Sequence, residues 1–96
     1  MIKKQYLKSR PVCKVTFSLP ADTGAKQAAV VGDFTGWQPT PMEQLKNGSF
    51  KVVLELEQGN DYQFRYLLNG SEWVNEAEAD RYVPNPYLSE NSVLIV

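Results

Sequence analysis

The chain contains no histidine and only one cysteine, Cys13, among its 96 residues. The lack of histidine excludes Ser-His-Asp triads, Cys–His dyads and the common zinc sites. Cys13 has no internal disulfide partner and no histidine to activate it, so we interpret it as a small core residue. One unpaired cysteine is typical of a reducing compartment, and we expect the chain to be cytoplasmic.

Long hydrophobic runs are also missing. The longest span four residues, at 28–31 and 93–96, so we predict no membrane-spanning segment. The first residues lead into no apolar stretch of the kind found in a signal peptide, and we expect none. The length suits one domain and is far below the ~250 residues of a (β/α)₈ barrel.

Charge is balanced in total but unevenly distributed along the chain. Ten basic and eleven acidic residues give a net charge of −1, yet residues 1–14 contain five basic residues and no acidic one. We interpret residues 1–10 as a basic, solvated and partly mobile N-terminal arm before a single domain at 11–96. Contact of this arm with an anionic partner is the alternative. We expect no nucleic-acid binding, because the acidic remainder would repel phosphates.

Alternating apolar and polar residues predict β-strands along most of the chain. The runs at 12–19, 50–57 and 62–68 alternate, and the short apolar runs at 28–31 and 93–96 are typical of buried strands. Turn residues at 58–61 predict a hairpin, and Asn69-Gly70 predicts a second one leading into residues 73–74. Helical periodicity is lacking, although residues 75–81 have room for one turn. These elements predict an all-β antiparallel β-sandwich of about seven short strands.

The predicted core consists of the inward positions of these strands. They are Val15, Phe17, Val30, Phe50, Val52, Leu54, Phe64, Tyr66, Val93 and Ile95.

A cluster of carboxylates is the first candidate for chemistry. Glu76, Glu78 and Asp80 lie within five residues, and glycosidases use paired carboxylates. A small sandwich rarely forms the shielded cleft that such a pair needs, so we favour a solvated loop. The spacing does not match an EF-hand calcium loop. We therefore predict no catalytic residue, no metal site and no cofactor.

Two tryptophans are more informative. Trp37 follows a strand end within a Gly/Pro-rich loop, and Trp73 begins the strand after the Asn69-Gly70 turn. Sugars present apolar C–H faces that stack on aromatic rings and hydroxyls that need polar partners. Both tryptophans together with Arg65 would supply such a site. The alternative is that the tryptophans plug the ends of the sandwich.

Three segments resemble one known family. Residues 30–37 read V-V-G-D-F-T-G-W, residues 62–70 read Y-Q-F-R-Y-L-L-N-G and are followed by Trp73, and residues 80–86 read D-R-Y-V-P-N-P before E-N-S-V at 90–93. In order and spacing they resemble the glycogen- and starch-binding modules of the isoamylase N-terminal, or early-set, family (carbohydrate-binding module family 48). That family includes the glycogen-binding domain of the AMP-activated protein kinase β subunit.

The resemblance implies an immunoglobulin-like β-sandwich that binds α-1,4-linked glucan without hydrolysing it. The carbohydrate-binding positions that it implies are Trp37, Arg65, Trp73, Ser89 and Asn91. Arg65 stands where related modules have lysine, and the loop before Trp73 is one residue longer, with Ser71-Glu72 in place of one residue. Many enzyme-attached family members act only as docking domains. The alternative function is therefore docking in trans onto a glycoside hydrolase or kinase.

Overall fold

The computed structural model describes residues 1–87 and 89–96, which form ten β-strands. In chain order these are β1 (Ile2–Tyr6), β2 (Val12–Leu19), β3 (Ala28–Gly32), β4 (Thr40–Pro41), β5 (Glu43–Gln44), β6 (Phe50–Glu57), β7 (Asp61–Leu68), β8 (Glu72–Val74), β9 (Arg81–Pro84) and β10 (Glu90–Ile95). The helical segments within these residues are two 3₁₀ turns, Ala21–Thr23 and Asp33–Thr35. None of the described residues forms a helix long and apolar enough to cross a membrane.

The strands form two antiparallel sheets. One has the order β1-β2-β6-β5, and the other has the order β4-β3-β7-β10-β9 with β8 also paired to β7. This architecture confirms the predicted all-β sandwich and the hairpin at Asn69-Gly70, which joins β7 to β8. The hairpin predicted at 58–61 was wrong, because β6 and β7 lie in different sheets and this turn connects the two sheets. Turn residues between two alternating runs do not show whether those runs pair with each other. The strand count exceeds the expected seven mainly because β4 and β5 have two residues each, too few for an alternating pattern to show.

The core lies between the two sheets and follows the alternation of the long strands. Cys13, Val15 and Phe17 of β2 are fully buried, as are Phe64 and Tyr66 of β7. The Phe64 ring meets Phe17 edge-on at 5.3 Å between centroids and Tyr66 edge-on at 5.8 Å. Cys13 is therefore a small core residue, as predicted from the sequence.

Four more of the predicted core positions also lie in this core or pack against it. Val30 and Phe50 are buried, and Val52 and Leu54 are partly buried and pack against the same core cluster.

For the last strand, β10, the prediction of which residues face the core was wrong. Ile95 is 39% exposed, whereas Leu94 is fully buried and belongs to the core between the sheets. Val93 is buried but alternates with Leu94, so it lies on the outward face of its sheet. A run of four apolar residues has no alternation, and the pattern alone could not specify which members face inward.

The predicted N-terminal arm also differs, because residues 2–6 form an edge strand. β1 pairs with β2 over its whole length, from Ile2 opposite Phe17 to Tyr6 opposite Cys13. The Lys4 ammonium binds the Asp80 carboxylate at 2.8 Å and the Ile95 carbonyl at 2.7 Å, linking this edge to the other sheet. Lysines are common on edge strands, where they discourage pairing with other chains. A basic run therefore does not distinguish an edge strand from a mobile arm.

Residues 75–81 form neither a helical turn nor a wholly solvated loop. Glu76 is only 2% exposed, so the predicted solvated position was wrong for this residue. Its Oε1 accepts from the Tyr66 hydroxyl at 2.7 Å and from the Met1 ammonium at 2.6 Å, and its Oε2 accepts from the Glu78 N–H at 2.9 Å. Although burial alone raises the pKa of the Glu76 carboxyl, these hydrogen bonds outweigh it and hold that pKa below its ordinary value.

Glu76→Gln is expected to lower the free energy of unfolding at neutral pH by about 1–3 kcal/mol, because it weakens charge-assisted hydrogen bonds in a buried site. The folded-state pKa of Glu76 is depressed. The contribution of ionised Glu76 to the free energy of unfolding is therefore complete above the pKa of an unfolded glutamate, about 4.3. This contribution is lost as the pH falls through the folded-state pKa. Urea denaturation should show the difference between wild type and variant shrinking at pH 3. Glu78→Gln, at an exposed position, is the control, and an equal effect of both variants would contradict this account.

Candidate functional site

A groove of about 660 Å³ lies on the outward face of the six-stranded sheet. Four of the five residues predicted as sugar-binding line it: Trp37, Arg65, Trp73 and Asn91. Arg65 alternates with the core residue Phe64, and Asn91 alternates with the buried Ser92, so both point outward. Because Ser92 is paired with Phe64, the neighbouring Asn91 and Arg65 are brought together on adjacent strands. Strand pairing thus joins residues 26 positions apart in the sequence.

The loop that carries Trp37 begins at Gly32, where the backbone approaches β7 closely. A Cβ added to Gly32 would lie 2.5 Å from the Gln63 carbonyl oxygen and 2.6 Å from the Phe64 Cβ, so glycine is required there. The Asp33 carboxylate then ties the loop to the sheet. Its Oδ2 accepts from the Gln63 backbone N–H at 2.7 Å, and its Oδ1 accepts from the Trp37 indole N–H at 2.9 Å. Asp33 therefore links the indole to strand β7.

The rest of this loop anchors one aromatic ring inward and turns the next outward. The Phe34 ring lies 5.4 Å from Phe17 and 5.7 Å from Tyr62 between centroids. Gly36 and Trp37 have φ values of 65° and 60°, in the left-handed region that is uncommon for a bulky residue. Trp37 is left 40% exposed and outside the core cluster. It lines a groove and does not plug the end of the sandwich.

Trp73 reaches the same groove through a tight hairpin turn. Asn69 and Gly70 both have positive φ, 52° and 73°, and the Ser71 N–H donates to the Leu68 carbonyl at 3.1 Å. Positive φ at two successive turn residues is favoured by the Asn-Gly dipeptide, which explains its place here. The turn sets the register that pairs Trp73 with the outward position 67. Trp73 is 45% exposed, and the longer loop before it leaves the ring in the groove.

Arg65 lies beside Trp73 in the groove that Trp37 also lines. Its guanidinium carbon is 5.7 Å from the centroid of the Trp73 ring, within cation–π range. Its Nε is buried and has no hydrogen-bond partner among the described residues. Within that part of the chain Arg65 also forms no ion pair. The guanidinium retains unused donors beside an aromatic ring.

Residues 13–85 match a protein-family model described as the glycogen recognition site of AMP-activated protein kinase. The chain belongs to this family. The match confirms the resemblance to glycogen-binding modules and includes Trp37, Arg65 and Trp73. It ends before Ser89 and Asn91. A comparison with curated proteins found no match.

In this member of the glycogen-recognition family, three loop residues that were not predicted complete the groove: Asn85, Pro86 and Tyr87. Tyr87 is 85% exposed at the groove rim. The Asn85 side chain holds the loop, because its Oδ1 accepts from the Tyr87 N–H at 2.9 Å. Its position within the Pro-Asn-Pro sequence indicated a turn, but no periodic pattern indicated that this turn would face the tryptophans.

A row of side-chain amides forms the polar wall of the groove. The Asn85 Nδ2 donates to the Asn91 Oδ1 at 3.2 Å, and the Asn91 Nδ2 donates to the Gln63 Oε1 at 3.2 Å. Each primary amide has two N–H donors, and its carbonyl oxygen accepts two hydrogen bonds. Asn91 therefore keeps one donor and one acceptor position free of these contacts while its orientation is fixed.

Ser89 is the predicted residue that does not line the tryptophan groove. It borders a neighbouring depression together with Asn75 and Tyr82, on the other side of Asn85. The prediction of Ser89 came from the family resemblance, by its position in the motif. Ser89 lies just before β10, in the loop, so the alternation that orients Asn91 does not fix the orientation of Ser89. Its position in the motif does not show this difference.

Proposed function

We propose that this chain binds α-1,4-linked glucan, as glycogen, starch or maltooligosaccharide, without hydrolysing it. The observation on which the proposal rests is that two half-exposed tryptophans and Arg65 line one groove. A glucose ring offers an apolar face to an indole and a rim of hydroxyls to polar groups. The groove has both kinds of partner. Membership in the glycogen-recognition family supports this ligand class over other sugars.

The polar groups suit a neutral ligand with many hydroxyls. Arg65 is a donor with a fixed planar geometry, and Asn91 is both a donor and an acceptor. Both are held by their surroundings, Arg65 beside the Trp73 ring and Asn91 by its amide neighbours. Preorganised groups lose little conformational entropy on binding, which raises affinity.

The groove residues favour binding over hydrolysis. Its lining among the described residues consists of aromatic, amide, proline and arginine side chains, without a carboxylate. Glycosidases need two carboxyl groups beside the scissile bond. Affinity should be modest, because an open groove covers only part of a flexible oligosaccharide and must order it.

Arg65→Ala is expected to weaken maltoheptaose binding by about 1.5–3 kcal/mol, the range for a hydrogen bond to a charged group. Arg65→Lys should restore much of the loss, because it keeps a cationic donor at the same position. Isothermal titration calorimetry at two salt concentrations tests both points. Binding should respond weakly to salt, since the sugar is uncharged. Unchanged affinity in a correctly folded Arg65→Ala variant would exclude this residue from the site.

Co-sedimentation with glycogen tests the proposed function itself. The wild-type chain should pellet with glycogen and be released by maltoheptaose but not by cellohexaose, whose β-1,4 linkages give a straighter chain. A chain that stays in the supernatant at every glycogen concentration would contradict the proposal and leave docking in trans as the function to test.

A further inference from the structure

A second groove of about 620 Å³ borders the tryptophan groove. We call it the tyrosine groove. Its lining residues are Asn75, Tyr82, Pro84, Asn85, Ser89 and Glu90. Asn85 lines both grooves, so the two depressions meet at its side chain. Tyr82 pairs with the inward-facing Ser92, whereas Asn91 of the tryptophan groove faces outward. The grooves therefore lie on opposite faces of the β9–β10 hairpin.

Tyr82 gives this groove a fixed aromatic surface. Its ring is 41% exposed, while its hydroxyl donates to the Glu76 backbone carbonyl. That carbonyl is itself well anchored, because the Glu76 N–H donates to the Ser92 Oγ at 2.9 Å and the Glu76 side chain is buried. An aromatic ring held at its polar end presents its face without a further entropy cost on binding.

The polar groups around this ring are mostly acceptors and uncharged groups. The Asn75 Nδ2 donates to the Glu90 carbonyl at 2.9 Å, and its Oδ1 accepts from the Ser92 Oγ at 2.9 Å, so this amide is fixed in place. Ser89 adds a hydroxyl and Glu90 a carboxylate at the rim. A carboxylate disfavours an anionic ligand, and one carboxylate with neutral groups is too few for a calcium site. The combination suits a neutral polyol with an apolar face.

We propose that the tyrosine groove is a second subsite for the same glucan chain that occupies the tryptophan groove. This inference rests on the proposed function. An α-1,4-glucan is a curved chain of identical units, so a chain leaving the first groove at Asn85 offers the same apolar faces and hydroxyls to the second. Tyr82 then stacks on a sugar ring, and Ser89 and Glu90 bind its hydroxyls. The affinity of the chain therefore depends on ligand length.

Calorimetry with maltotriose and maltoheptaose tests this subsite in wild type and in Tyr82→Ala. Maltotriose fills the tryptophan groove alone, so its affinity should be equal in both proteins within about twofold. Maltoheptaose should bind wild type more tightly than maltotriose does, and Tyr82→Ala should lower its affinity about tenfold. A longer ligand also gains affinity because it can occupy the tryptophan groove at several positions along its length. This gain persists in Tyr82→Ala. The difference between the two proteins thus isolates the second subsite.

Two further variants keep the test decisive. Tyr82→Phe retains the ring and should retain most of the maltoheptaose affinity. Ser89→Ala alters one exposed hydroxyl and should lower that affinity about threefold, even if Tyr82→Ala fails to fold. Wild type that binds neither ligand would overturn the proposed function. Wild type that binds both ligands, with maltoheptaose affinity unaffected in Tyr82→Ala and Ser89→Ala, would overturn the second subsite alone. Equal losses for both ligands in Tyr82→Ala would also overturn it.

Discussion

Replacing Trp37 or Trp73 with alanine is expected to lower the affinity for maltooligosaccharides by at least about 2 kcal/mol and to leave the folded state intact. Each indole is close to half exposed and lies outside the core cluster, so its removal creates no buried cavity. Each also supplies a large apolar surface to the groove. Calorimetry with maltoheptaose measures the affinity, and urea denaturation measures the stability.

Tyr6→Ala is the matched control for these variants. Tyr6 is 53% exposed on β1, in the sheet that does not form the groove, so its replacement should leave sugar affinity unchanged. An unfolded Trp37→Ala variant would show that this residue is a structural plug after all. Wild-type affinity in either folded tryptophan variant would remove that residue from the site.

Gly32→Ala is expected to lower the free energy of unfolding by about 3 kcal/mol, through overpacking against a neighbouring strand. The added Cβ would lie 2.5 Å from the Gln63 carbonyl oxygen and 3.0 Å from the Phe64 Cα, and backbone atoms cannot rotate away as a side chain can. The φ of Gly32 is −171°, an extended value open to any residue. The predicted cost is therefore steric and not conformational.

Gly36→Ala separates these two effects in the same loop. Gly36 has a φ of 65°, and an added Cβ there meets no atom within 4 Å. Its cost should be about 1 kcal/mol, from the left-handed backbone alone. Urea denaturation of both variants gives the comparison. Gly32→Ala and Gly36→Ala variants of equal stability would contradict the assignment of Gly32 as the point of close approach.

The elements predicted correctly from sequence are those whose local pattern reflects their burial. β2, β6 and β7 each have one face on the core, so alternation shows both the strand and its facing. The Asn69-Gly70 dipeptide likewise specifies its own turn, because both residues must adopt positive φ. Arg65 points outward for the same reason of strand parity.

The features that were missed depend on contacts between distant parts of the chain. Glu76 has an ordinary loop sequence around it, and only the folded arrangement of Tyr66 and the Met1 ammonium makes its burial favourable. β1 is a strand because β2 offers it a free edge. The groove wall at Asn85 and Tyr87 follows from how β9 pairs with β10, which no short-range pattern encodes.

Titration of the wild-type chain with maltoheptaose, followed by tryptophan fluorescence, tests the central claim most directly. Both tryptophans of the chain line the groove, so sugar stacking there must change the total emission. We predict a saturable change with maltoheptaose and none with cellohexaose at the same concentrations. An unchanged spectrum throughout the maltoheptaose titration, in a chain shown to be folded, would contradict glucan binding at this groove.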